Sequence, residues 1–153
     1  MVTSSSFVGK QKKIAGISWV LRNHRGVVLL HSRHSIAHID NIDEAKLQCI
    51  LWAINSMASL KLSRVVFGSE ATDLIGSVTR PKAWPSFAYQ ASEIRIALAN
   101  IDNWSLHSEV SDTNQGAKLI AQSASFGARL HSYVARSYPF WLKETFEHDV
   151  AFS

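Results

Sequence analysis

The chain has 153 residues, 46% of them hydrophobic and 18% charged, enough for one domain with a core of its own. Only 7 Gly and 3 Pro exclude a collagen-like or Pro/Gly-rich disordered chain, and the single cysteine, Cys49, excludes a disulfide framework and a cysteine-built zinc site. Lys and Arg outnumber Asp and Glu by 16 to 12, a formal charge of +4 that is basic enough to suit a polyanionic partner without demanding one.

No apolar run approaches the ~18 residues that cross a bilayer, and the opening MVTSSSFVGKQKK carries its charges after a very short apolar patch, unlike a secretory signal. The expectation is an intracellular protein, nuclear or cytoplasmic, with no membrane association. Basic residues gather toward the N-terminal end at Lys10, Lys12, Lys13, Arg22, Arg25 and Arg33, where they would concentrate positive potential.

Taken in chain order, TSSSFVG over 3–9 supplies a short strand from poor strand formers. IAGISWVL over 14–21 and VVLLHSRHSI over 27–36 are apolar runs separated by Arg22-Asn23-His24-Arg25-Gly26, the signature of a β-hairpin. Over 43–60 the period changes: Lys46, Ile50, Ala53, Met57 and Leu60 recur at helical spacing, Leu47, Leu51, Ile54 and Ala58 widen the stripe, and Asp40 or Asn41 stands ready to cap it. A strand over 64–67 follows, then a helix from Glu70 through Val78, broken at Arg80-Pro81-Lys82. A second helix is predicted over 85–100, an alternating strand over 103–110, and a helix over 114–124. The tail over 131–153 is expected to end in a short amphipathic helix around Phe140–Glu147 that docks on the 1–130 domain or on a protein partner. Three strands in a meander and two that alternate with helices predict an α/β mixed five-stranded sheet, antiparallel in its first half and parallel in its second, flanked by helices.

In that order, AGISWVLRNHRGVVLLHSR, DEAKLQCILWAI, RVVFGSEATDLI and SDTNQGAKLIAQSA resemble the plant-type ribonuclease H family, the domain also attached to reverse transcriptases. SYVARSYPFWL resembles the tail of one branch of it. The resemblance implies the ribonuclease H-like fold and, for active members, cleavage of the RNA strand of an RNA–DNA hybrid by two Mg²⁺ ions held on four carboxylates. Those carboxylates lie on the first strand, in the first helix, just after the fourth strand and in the last helix. Here the matching positions are Ser4 in Thr3-Ser4-Ser5-Ser6-Phe7, Lys46 in Glu44-Ala45-Lys46, Glu70 in Gly68-Ser69-Glu70, and Lys118 in Asn114-Gln115-Gly116-Ala117-Lys118. The formal charge of the site changes from about −4 to about +1, which repels divalent cations. The expectation is a domain without hydrolytic activity and without a resident metal. Lys46, Lys118 and Glu70 are expected to converge as an internal charge cluster that keeps the emptied site folded.

Residual binding to RNA–DNA hybrid or other nucleic acid would fall to Lys10, Lys12, Lys13, Arg80, Lys82 and Trp84. Two alternatives stay open: an active Mg²⁺ nuclease using a displaced acid set such as Glu70 and Asp112, and a protein-interaction module that keeps only the fold. The remaining chemistry is thin. His31 and His34 are three apart in a predicted strand and so point to opposite faces, poor geometry for a shared metal. Cys49 reads as a buried thiol, and Trp19, Trp52 and Trp104 as core or near-core residues.

Overall fold

The computed structural model describes residues 1–8, 14–37, 39, 41–109, 115–126, 133–139 and 142–146. Strands β1 (Val2–Val8), β2 (Ala15–Arg22) and β3 (Val28–Ile36) form the expected antiparallel meander. Two side chains hold the β2–β3 turn: Asn23 Oδ1 accepts from the amides of Arg25 (2.9 Å) and Val27 (3.0 Å), and Arg22 Nη1 donates to the Gly26 carbonyl at 3.3 Å. Gly26 takes the left-handed conformation there, at φ 78°, which glycine adopts without steric cost.

Helix α1 (Ile42–Ser59) starts at Asn41, whose side chain accepts from the Glu44 amide at 2.8 Å, with Asp43 and Glu44 favourably placed at the positive end of the helix dipole. It leads to β4 (Arg64–Ser69), α2 (Thr72–Thr79), two 3₁₀ turns at Pro81–Ala83 and Pro85–Phe87, and α3 (Ala88–Leu98). β5 (Asn103–Ser108) and α4 (Gln115–Phe126) complete the expected set. The helix predicted from residue 85 thus begins as a 3₁₀ turn with Pro85 in its first position, and becomes α-helical from Ala88.

Among the described residues the sheet has six strands, in the order β5-β4-β1-β2-β3-β6, and not the five expected from the sequence. The sixth, β6 (Tyr133–Arg136), comes from the tail and pairs antiparallel with β3, Leu30 opposite Arg136 and Arg33 opposite Tyr133. Four residues are too few for an alternating pattern to register, and the partner lies about 100 residues upstream, beyond any local signal. Residues 142–146 are helical, with Leu142 and Phe146 buried beneath α4 against Val20 and Val28. Phe140 and Trp141 lie outside the described residues.

Register decides which side chains meet. β1 pairs antiparallel with β2, Val2 opposite Leu21 and Ser4 opposite Trp19, so Val2, Ser4, Trp19 and Leu21 share the face covered by α1, α2 and α3. That face holds the main core, with Trp19, Ile54, Met57, Ile94 and Leu98 fully buried. α4 covers the opposite face, where Ser18 Oγ donates to the Ala117 carbonyl at 2.5 Å. No helix among the described residues is long and apolar enough to cross a membrane.

Among the described residues Trp19 is the largest wholly buried side chain; its indole nitrogen donates to Ser56 Oγ at 3.2 Å and its ring lies 6.2 Å from that of Trp52. Trp19→Ala is expected to cost about 3–5 kcal/mol in urea unfolding, whereas Trp104→Ala, at the exposed sheet edge, should cost under about 1 kcal/mol. Equal losses at the two positions would contradict this packing.

Candidate functional site

β1 and β4 run parallel with Ser4 level with Ser69, so Glu70, the next residue of the chain, leaves the sheet beside Ser4. The turn that carries Glu70 is fixed: Ser69 Oγ accepts from the Ala71 amide at 3.2 Å and the Glu70 carbonyl accepts from the Thr72 amide at 2.8 Å. Glu70 therefore precedes α2 instead of opening it, as the sequence suggested. α1 crosses the same end of the sheet and contributes Lys46 and Cys49.

Together Ser4, Ser5, Ser6, Lys46, Cys49, Ser69, Glu70 and Ala71 line a cavity of ≈ 40 Å³, room for a water or two. A second cavity of ≈ 110 Å³ shares Lys46 and Glu70 and adds Asp43, Thr72, Asp73, Leu74 and Phe87. Lys46 and Glu70 thus form the wall between the two, with Asp43 and Asp73 exposed on the outer side. The innermost wall is neutral and polar: Cys49 Sγ donates to the carbonyl oxygens of Ser5 (3.1 Å) and Ser18 (3.5 Å). Burial pushes the Cys49 thiol up to about 12, so it stays protonated at neutral pH and is no nucleophile.

Three of the four predicted acid-site positions therefore meet: Ser4, Lys46 and Glu70. Lys118 is not among the residues lining either cavity. It lies half-buried near the start of α4, on the opposite face of the sheet from α1, beside Ala117 and Gly116 that pack on Ser18 and Phe146. Among the described residues no three His, Cys, Asp or Glu side chains gather as a potential metal cluster.

Of the expected nucleic-acid contacts, Arg80 and Lys82 are exposed on the turn after α2. Trp84 is half-buried, in edge contact with Phe87 at 6.2 Å and pressed on Gly76, where a Cβ would come within 2.5 Å of the indole nitrogen. Lys10, Lys12, Lys13 and the candidate acid Asp112 lie outside the described residues. His31 is buried with Nδ1 against the Ser137 carbonyl, while His34, on the other face of β3, lies against Trp52 at 5.8 Å.

The seat of Glu109 was not foreseen. This half-buried carboxylate accepts from Thr3 Oγ1 at 3.4 Å and lies over Gly68, where any Cβ would run into it. The one trace in the sequence is a glycine closing an otherwise β-branched and aromatic strand, Val65-Val66-Phe67-Gly68.

Residues 3–124 match the reverse transcriptase-like family. The chain belongs to that family, whose domain has the RNase H-like fold. The fold is similar to that of RNase H1 from the halophilic archaeon Halobacterium salinarum, with a TM-score of 0.71 at 17% identity over 84% of this chain and 97% of that one. It is similar also to LC11-RNase H1 from a compost metagenome, solved in complex with an RNA/DNA hybrid, with a TM-score of 0.69 at 14% identity over 83% and 96%. The N-terminal RNase H domain of Rv2228c from Mycobacterium tuberculosis gives 0.68 at 13% identity over 83% and 94%. At such identities the likeness is one of fold. No curated protein sequence matches the chain.

Burial lowers the pKa of His31 and of His34, so the folded state favours their neutral forms. Their contribution to stability is complete above the unfolded-state value of ~6.5 and is lost as pH falls through 6.5 toward the lowered folded values. Urea unfolding should therefore show stability falling as pH drops below about 6.5, and His31→Gln should flatten that slope. A stability that rises on acidification over this window would contradict the burial of these rings.

Proposed function

We propose that this RNase H-like domain does not hydrolyse RNA–DNA hybrids and keeps instead a capacity to contact hybrid or duplex nucleic acid. The observation that carries the reading is Lys46 in the wall of the cavity it shares with Ser4 and Glu70. Two hard divalent cations in this family's site would need oxygen donors, several of them anionic. Ser4 offers a hydroxyl, Glu70 one carboxylate, and Lys46 only N–H donors with a positive charge. At an effective dielectric constant of ~20, one ammonium 4 Å from a unit charge changes its energy by ~4 kcal/mol, and twice that for a divalent ion. The residues present do not fit the metal pair.

The nucleic-acid half of the reading is supported by the net charge of +4 and by the exposed pair Arg80 and Lys82. Lys10, Lys12 and Lys13 carry further positive charge in the sequence, and Trp84 would brace the Arg80–Lys82 turn. Phosphate contacts of this kind bind without reading sequence.

Incubated in molar excess with a labelled RNA–DNA hybrid and Mg²⁺ or Mn²⁺, the chain should leave the hybrid intact; cleavage that is lost in Glu70→Gln would overturn the first half. Hybrid binding should weaken steeply with salt, and Arg80→Ala with Lys82→Ala should reduce the logarithmic salt slope by about 1–2. Binding insensitive to salt would overturn the second half. Ser4→Asp and Lys46→Glu combined, beside the native Glu70, should create a Mg²⁺-dependent rise in Tm that the native chain lacks. No rise in that variant would contradict the assignment of these two positions.

A further inference from the structure

Between α1 and α3 lies an open groove of ≈ 580 Å³, separate from the serine-lined cavity. Leu47 and Leu51 of α1, Leu74 of α2 and Phe87 give it an apolar floor, and Asp43, Glu44 and Glu93 stand along its edges. Tyr89, 70% exposed, projects at the α3 side. Although the chain is net basic, no lysine or arginine is among the groove's lining residues. Gln90 also lines it, and the side-chain oxygen of Gln90 is buried with no hydrogen-bond partner among the described residues.

These features select an occupant. An apolar floor needs apolar side chains, the carboxylates need cations, and a buried amide oxygen needs an N–H donor. The volume lies within the ~300–1,000 Å³ of cavities that enclose a compact apolar ligand or a cluster of side chains. Two neighbouring helices, α1 of 18 residues and α3 of 11, leave a trough that a third helix fills by ridge-and-groove packing, with anchors at i, i+3 or i+4, and i+7. A nucleic acid is disfavoured here: its phosphates would face Asp43, Glu44 and Glu93, with Asp73 close by along the shared Asp43 edge.

We propose that the α1–α3 groove docks an amphipathic helical segment of a partner protein. Its apolar face lies on Leu47, Leu51 and Phe87, its flanking lysines or arginines pair with Asp43, Glu44 and Glu93, and an N–H of the segment satisfies Gln90. This surface is distinct from the Arg80–Lys82 turn, and docking on it does not depend on the loss of hydrolysis.

The test uses the full chain and three probes: a fluorescein-labelled amphipathic helical 14-mer with leucine and phenylalanine anchors and lysine flanks, its twin with glutamate for each lysine, and a 14-base-pair DNA duplex. Fluorescence anisotropy should show saturable binding of the lysine peptide and at least about tenfold weaker binding of the glutamate twin. Glu93→Lys and Tyr89→Ser, both at the groove's edge, should each weaken the lysine peptide about tenfold while leaving Tm unchanged. Amide shifts on titration should map to residues 43–51 and 86–93. The proposal is overturned if no peptide saturates below about 1 mM, if both peptides bind alike, or if the variants bind as the native chain does. It is overturned equally if the duplex shifts the groove amides, or if the chain alone dimerises through them in sedimentation, which would give the groove to nucleic acid or to a second copy.

Discussion

Parallel pairing of β1 with β4 sets Ser4 beside Ser69, and with it the point at which the chain turns out of the sheet at Glu70. α1 must cross this same end to cover Val2, Trp19 and Phe67, and its first turns then bring Lys46 and Cys49 down on the ends of the two strands. The junction is thus a by-product of burying the main core, and any side chain at positions 4, 46 or 70 is held there whatever its charge. The fold fixes where these positions meet and leaves their chemistry open.

What occupies the junction is mostly neutral. Serines and the Cys49 thiol face one another across a space for a water or two, and the thiol answers backbone carbonyls of both β1 and β2. The charged members, Lys46 and Glu70, stand at the outer wall, where Asp43 and Asp73 reach the adjoining cavity from solvent-exposed positions. Charges placed at such a boundary keep partial access to water, which lowers the desolvation cost that a fully enclosed ion pair would carry. A lysine is tolerable in this place because it is only half-buried and lines the adjoining cavity together with Asp43, Glu70 and Asp73.

Much of this was legible in the sequence wherever the signal was local. The β2–β3 hairpin followed from Asn23 and Gly26, the start of α1 from Asp40 or Asn41, of which Asn41 is the cap, and the helical stripe from Ile50, Ala53 and Met57, which are buried. Leu60 of that stripe, by contrast, falls at the helix end and is exposed. Meeting of Ser4, Lys46 and Glu70 was legible only through resemblance, since nothing in spacing places residues 4 and 70 side by side. Lys118 was expected among them, but α4 packs on the other face, so a helical position level with the junction in sequence order need not line its cavity. β6 escaped because four residues paired with a strand so distant in sequence leave no local trace. The acid-edged groove was hidden too: α1 and α3 each bury one stripe in the core, and the trough exists only where Leu47, Leu51 and Phe87 are brought together.

The loss of the metal pair is the claim on which the functional reading turns, and Mn²⁺ can probe it atom by atom. In a ¹H–¹⁵N spectrum of the native chain, millimolar Mn²⁺ should leave the amides of Ser4, Ser5, Lys46, Ser69 and Ala71 no more broadened than those of the exposed acidic residues elsewhere. Selective broadening of those five at stoichiometric Mn²⁺ would mean that the junction still holds a divalent ion beside Lys46, and the domain would have to be read as an active-site architecture after all.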